Sequence, residues 1–151
     1  MEILIFAETD DKGNLKKDAY EIASYASAIS SENGGSVNAL CFNTSNAESL
    51  SNYGVDKIIN SKNEELKNFD PSNYSKCITE VFNNEECNLL VLSSSSNSKH
   101  IGGILSVLTD SSYVTNVISK LTNGEKMTVI RNTFTNKAFE TVEIIKNKII
   151  L

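Results

Sequence analysis

Much that would announce a function is scarce in this sequence. It has one histidine, one proline and a single arginine, and its three cysteines form no CxxC pair. No apolar run reaches the ~18 residues that a membrane span needs. The opening MEILIFAETDD carries an acidic residue where a secretory leader needs basic ones, and its apolar run is too short for one. Lys plus Arg number 14 against 19 Asp plus Glu, a net charge of -5. That balance opposes binding to nucleic acid, which takes clustered cations. It opposes an anionic membrane surface for the same reason. The sparse, odd set Cys41, Cys77 and Cys87 reads as reduced, mostly buried thiols in a cytoplasmic setting. Because His100 is the only imidazole, zinc coordination and a hydrolytic triad are both unsupported. Its neighbours Lys99 and Ile101 give it a surface or structural role. The acidic doublets Glu64-Glu65 and Glu85-Glu86 read as solvated surface. No catalytic residue and no metal ligand emerges. Phosphate-binding glycines are missing too. The first strand-to-helix loop has only Gly13, and neither a GxGxxG nor a Walker lysine motif occurs.

What is present is a globular alternation. A chain of 151 residues suits one domain, and such a domain buries roughly 70% of its unfolded surface. Glu2 to Glu8 holds a continuous apolar run, as expected of a strand buried on both faces. Leu15, Ala19, Ile22, Ala23, Ala26 and Ile29 then recur at helical spacing, closed by Asn33, Gly34 and Gly35. Strand Ser36 to Phe42, a short helix Ala47 to Tyr53 closed by Gly54, and strand Lys57 to Ile59 follow. Pro71 suits a helix start, and Tyr74, Ile78, Val81 and Phe82 give that helix its buried face. Asn88 to Ser93 is another doubly buried strand. Lys99 to Leu108 reads as a helix weakened by Gly102 and Gly103, and Tyr113 to Ile118 as a fifth strand. Such alternation predicts an α/β fold with a mostly parallel sheet covered by helices. After it, Asn123-Gly124 signals a hairpin. Met127 to Phe134, Ala138 to Ile145 and Lys148 to Leu151 read as antiparallel strands extending the sheet edge.

One loop stands out chemically. Ser93 to Ser98, SSSSNS, sits at the carboxyl end of a central strand, where open α/β sheets place ligands. Its hydroxyls, with Ser94, Ser95 and Ser96 as candidates, either bind an anion or carbonyl or simply cap the next helix.

Taken together, these segments resemble the N-terminal domain of the electron transfer flavoprotein alpha subunit. The resemblance rests on ILIFAE and GNLKKDAYEIASYA at the start, NYGVDKII before the third strand, FDPSNYSKCI before the next helix, and NLLVLSSSSNS at the central strand. It ends on Arg131, Asn132, Phe134, Lys137 and Ala138, similar to the family's Arg-Pro-x-Tyr-x-Gly-Lys-Ala stretch. There are departures. Ser98 stands where the family's Thr-x-x-Gly loop has glycine. Gly103-Ile104-Leu105 replaces Pro-Arg-Leu, and Thr115-Asn116-Val117 replaces Ser-Asp-Val. Asn132 and Asn136 replace the proline and glycine after Arg131. A basic and an acidic residue are thus lost together at positions 104 and 116, which suggests a discarded buried pair.

The resemblance implies a Rossmann-like three-layer fold of the adenine nucleotide alpha hydrolase-like type. It implies a non-enzymatic scaffold domain in an alpha–beta heterodimer that carries FAD. Such complexes pass electrons from acyl-CoA or other dehydrogenases to a quinone-linked or similar acceptor, in the cytoplasm or the mitochondrial matrix. The flavin belongs mostly to a second, C-terminal domain absent from residues 1–151, so this chain is expected to be a fragment and not to bind FAD alone. Arg131 is then an interdomain or subunit contact, or else a surface arginine on an edge strand. A different class stays open: a nucleotide-binding module of the universal-stress or adenine-nucleotide type. A small standalone enzyme using the serine loop ranks behind both, for want of a base.

Overall fold

A computed structural model describes residues 1–146 and 148–151. The main sheet has six strands, in the spatial order Lys57–Ser61, Val37–Phe42, Ile3–Phe6, Leu89–Val91, Ile149–Ile150 and Ser112–Tyr113. They are β1 (Ile3–Phe6), β2 (Val37–Phe42), β3 (Lys57–Ser61), β4 (Leu89–Val91), β5 (Ser112–Tyr113) and β9 (Ile149–Ile150). Every pairing in it is parallel. A second sheet holds β6 (Thr122–Asn123), β7 (Met127–Thr133) and β8 (Ala138–Ile144), all antiparallel. The helices are α1 (Lys17–Asn33), α2 (Pro71–Asn84) and α3 (Ser96–Leu108).

The inner strands β1, β2 and β4 are buried on both faces, which is why they are apolar apart from the buried Asn38 of β2. Alternate residues feed two cores. Ile3, Ile5 and Ala7 pack with Ala19, Ala23 and Ala26 of α1 and with Val129 and Ile144 of the small sheet. Leu4, Phe6 and Leu90 pack with Ile78 and Phe82 of α2 and with Ile101 and Leu105 of α3. The result is a three-layer, Rossmann-like α/β fold.

Local signals set most boundaries. Asp70 caps α2 by accepting from the Asn73 N–H, and Pro71 occupies the first turn. Gly34 ends α1 at φ 71°. Ala47–Tyr53 is a 3₁₀ helix rather than an α-helix, closed by Gly54 in the left-handed conformation at φ 82°. Gly102 and Gly103 do not break α3. Gly102 packs where an added Cβ would lie 2.3 Å from the Tyr113 ring, so a close helix-to-sheet approach requires it.

Three expectations about the C-terminal third are corrected. The expected fifth strand is split, because Asn116 takes a left-handed conformation at φ 57°. Ser112–Tyr113 stays in the main sheet, whereas Val117 bridges to Arg131 of β7. The strands β6 to β8 do not extend the sheet edge but form their own sheet beside α1, with the Tyr25 hydroxyl donating to the Ser119 carbonyl at 2.9 Å. The last strand is not antiparallel. It returns to the main sheet and inserts between β4 and β5, its apolar pair Ile149–Ile150 fully buried there.

Candidate functional site

The chain reverses its direction of travel across the sheet between β1 and β4. From β1 it crosses through α1 to β2 on one side, and from β4 through α3 to β5 on the other, with the helices on opposite faces. Open α/β sheets place ligands in the crevice outside such a switch point. The register pairs Ile5 with Val91. Three residues beyond Ile5 and two beyond Val91, Glu8 and the serine turn that begins at Ser93 meet at the carboxyl edge.

Glu8 is buried, and its side chain organises the turn. Its Oε1 accepts from the hydroxyls of Ser98 at 2.7 Å and Ser93 at 3.1 Å, and from that of Ser95. Its Oε2 accepts from Lys16 Nζ at 2.7 Å. The Ser95 Oγ in turn accepts from the Ser98 N–H at 3.0 Å, which caps α3. Burial alone would raise the Glu8 carboxyl. The hydrogen bonds from Lys16, Ser95 and Ser98, with the Lys16 charge, outweigh it and hold the group below its usual range. Three hydroxyls saturate its inner oxygen, and a lowered pKa makes it a weaker base. The cluster ties β1, β4, α1 and α3 together.

The three candidate serines thus part company. Ser95 caps the helix and binds Glu8. Ser94 is exposed and lines the neighbouring cleft. Ser96 is exposed, and its carbonyl faces His100 Nδ1 at 2.9 Å. In the sequence Glu8 shows itself only as a strand end. Its signal was a carboxylate closing an apolar strand in a fold whose next central strand ends in serines.

The cleft beside the cluster has a volume of about 410 Å³. Asp18 and Glu21 of α1 form one wall, Ser94 and Lys99 another, with Leu151 and Val117 among its apolar lining. A flavin dinucleotide would need a glycine-lined cradle for its pyrophosphate. The serine turn has no glycine. A Cβ on Gly13 would lie 3.2 Å from the Asn43 carbonyl, so that glycine serves chain packing. These residues do not fit a flavin dinucleotide by themselves.

Arg131 lies across the sheet from Glu140, its Nε donating at 2.8 Å. Its strand β7 is the middle strand of the small sheet, not an edge. Positions 104 and 116 are both exposed. Charges lost there would have been hydrated, so a discarded buried pair does not explain those departures. Cys41 and Cys87 are buried and Cys77 half-buried, with burial pushing the Cys41 thiol up to about 12 and that of Cys87 to about 11. Among the described residues, no helix is long and apolar enough to cross a membrane.

Fold and site together define a Rossmann-like α/β domain whose switch point is braced by Glu8 and its serine turn. Residues 3–151 match the electron transfer flavoprotein domain, and the chain belongs to that family of electron carriers. None of the curated proteins matches it.

Proposed function

We propose that this chain is the N-terminal scaffold domain of the alpha subunit of an FAD-containing electron transfer flavoprotein. In this reading it packs against a beta subunit and holds the flavin-bearing region in place. The flavin is held mainly by residues outside these 151, and electrons pass from a dehydrogenase to a quinone-linked or similar acceptor in the cytoplasm or mitochondrial matrix. The cofactor carries the redox chemistry, and this chain contributes assembly and orientation, Arg131 among its contacts. The observation that carries the reading is the internal saturation of Glu8. The carboxylate at the switch point spends its hydrogen bonds on bracing four elements. Ser94, an exposed hydroxyl of the serine turn that lines the cleft, is the candidate to touch a neighbouring ligand or chain.

Purification from native cells under mild conditions tests it. Flavin absorption bands and a stoichiometric second chain are expected, with no flavin retained by residues 1–151 alone. A colourless protein without a partner would overturn it.

A second reading, a nucleotide-binding module, is favoured by the cleft alone. Carboxylates such as Asp18 and Glu21 suit ribose hydroxyls, and Lys99 near the start of α3 suits a phosphate. Calorimetry with AMP and ATP separates the two. Binding lost in Asp18→Asn would move the function to the cleft.

A further inference from the structure

The sequence contains two Asn-Gly steps, Asn33-Gly34 and Asn123-Gly124, and the fold treats them differently. With no Cβ in the way, the backbone nitrogen of a glycine can swing onto the side-chain carbonyl carbon of the asparagine before it. Asn33 is half-buried and ends α1. Its Nδ2 donates to the Ile29 carbonyl at 2.9 Å. Helical backbone points the next N–H back along the axis, away from the Asn33 side chain. Asn123 is the second and last residue of β6 and is exposed. The side-chain bonds of its hairpin run through the neighbouring Thr122, whose hydroxyl pairs with that of Thr128 at 2.6 Å. Among the described residues none holds the Asn123 amide. A two-residue strand on the surface opens readily. Gly124 then gives its own nitrogen room to turn, because a Cβ there would meet nothing within 4 Å. Its φ is ordinary, so the turn itself does not require glycine.

We propose that Asn123 is a modification site at which the folded chain deamidates itself. The Gly124 nitrogen gives up its proton and attacks Asn123 Cγ. The N–Cγ bond forms, the Cγ–Nδ2 bond breaks, and Nδ2 takes the proton and leaves as ammonia. The product is a five-membered succinimide. Water then opens the ring at either carbonyl, which leaves aspartate or isoaspartate at position 123. Neither step needs an oxidant or a reductant. Both products add one negative charge to a chain that carries -5. Isoaspartate also adds a methylene to the backbone where Asn123 pairs with Met127, so β6 loses its register on β7. The new carboxylate falls beside Glu125 and close in sequence to Lys126, the cation that holds Glu143 at 2.7 Å. This goes beyond the scaffold reading and does not depend on it.

Incubation of the intact 151-residue chain at mildly alkaline pH, followed by peptide mapping in a mass spectrometer, tests it. The peptide holding Asn123 should grow heavier by the difference between a hydroxyl and an amino group. It should also split into two isomers, one of which accepts a methyl group from an isoaspartyl methyltransferase. The peptide holding Asn33 should keep its mass. In urea the fold holds neither residue, and the two should react at similar rates. Gly124→Ala should slow the reaction of the folded chain at least ~10-fold, the effect of a barrier higher by about 1.4 kcal/mol. Its circular dichroism should be unchanged, because the position is open. Asn123→Gln should remove the isoaspartyl signal. A folded chain whose Asn123 peptide keeps its mass overturns the proposal. So does equal reaction of Asn33 and Asn123 in the folded chain, or a methyl acceptor that persists in Asn123→Gln.

Discussion

The two sheets of this molecule are stabilised by different means. In the six-stranded sheet the central strands have no solvent face, and Ile5, Leu90 and Ile150 are shielded above and below. Its cohesion comes from apolar burial and from parallel backbone pairing that only distant segments can supply. In the three-stranded sheet one face rests on the core through Val129 and Ile144, while Ile130 and Phe139 look outward. That sheet is kept in register by cross-strand pairs: Arg131 with Glu140, Lys126 with Glu143, Thr122 with Thr128. Stability is therefore concentrated in one sheet. The other has surface free for tuning contacts at little cost to the fold.

The sharpest way to break this contrast is to hollow out the main sheet. Leu90→Ala should cost ~3–4 kcal/mol in urea unfolding. A loss under 1 kcal/mol would mean that the main sheet is not the stabilising element. Next comes the brace at the switch point. Glu8→Gln leaves Lys16 without its carboxylate and should cost ~2–3 kcal/mol at neutral pH. The Glu8 carboxyl is lowered in the folded state. Its stabilisation is present above the unfolded-state value and drains away as the pH falls through the lower folded one. Glu8→Gln should flatten that acid limb, and an identical pH profile in the variant would contradict the assignment. The paired glycines give a smaller effect of opposite sign. Gly102→Ala meets Tyr113 and should destabilise by ~1–3 kcal/mol, whereas Gly103→Ala should stabilise by about 1 kcal/mol. Thermal melts of the two variants moving in the same direction would refute the inside–outside distinction. Smallest of all, Arg131→Ala and Phe139→Ser in the small sheet should each change stability by no more than ~0.5 kcal/mol. A loss above 1 kcal/mol from either would show that the small sheet also carries the fold.

How far the sequence was legible follows the same division. β1, β2, α1 and α2 could be read because their information is local: apolar runs, a 3.6-residue period, Asp70-Pro71 at a helix start. The place of β9 could not. Ile149-Ile150-Leu151 looks like any short apolar segment, and its seat between β4 and β5 is decided by a gap that other strands leave. The break at Asn116 was hidden because asparagine in a β-rich stretch gives no firm sign of a left-handed turn. At the site, the serine run stood out as a cap and Ser95 serves as one. Glu8 did not stand out, because a carboxylate at a strand end is ordinary until the fold brings Ser93, Ser95 and Ser98 around it.

The position of β9 has a consequence for synthesis. Leu151 accepts from the Leu92 N–H at 2.8 Å and donates to the Leu90 carbonyl at 2.9 Å, while Ile149 pairs with both Leu89 and Ser112. A nascent chain that has delivered every residue up to β8 still carries a slot through its central sheet, with the edges of β4 and β5 unpaired. Such edges invite association with other strands, and contacts so distant in sequence form slowly. The domain can close only after residue 151 has cleared the ribosome. Until then the facing edges of β4 and β5 lack the strand that pairs with both of them.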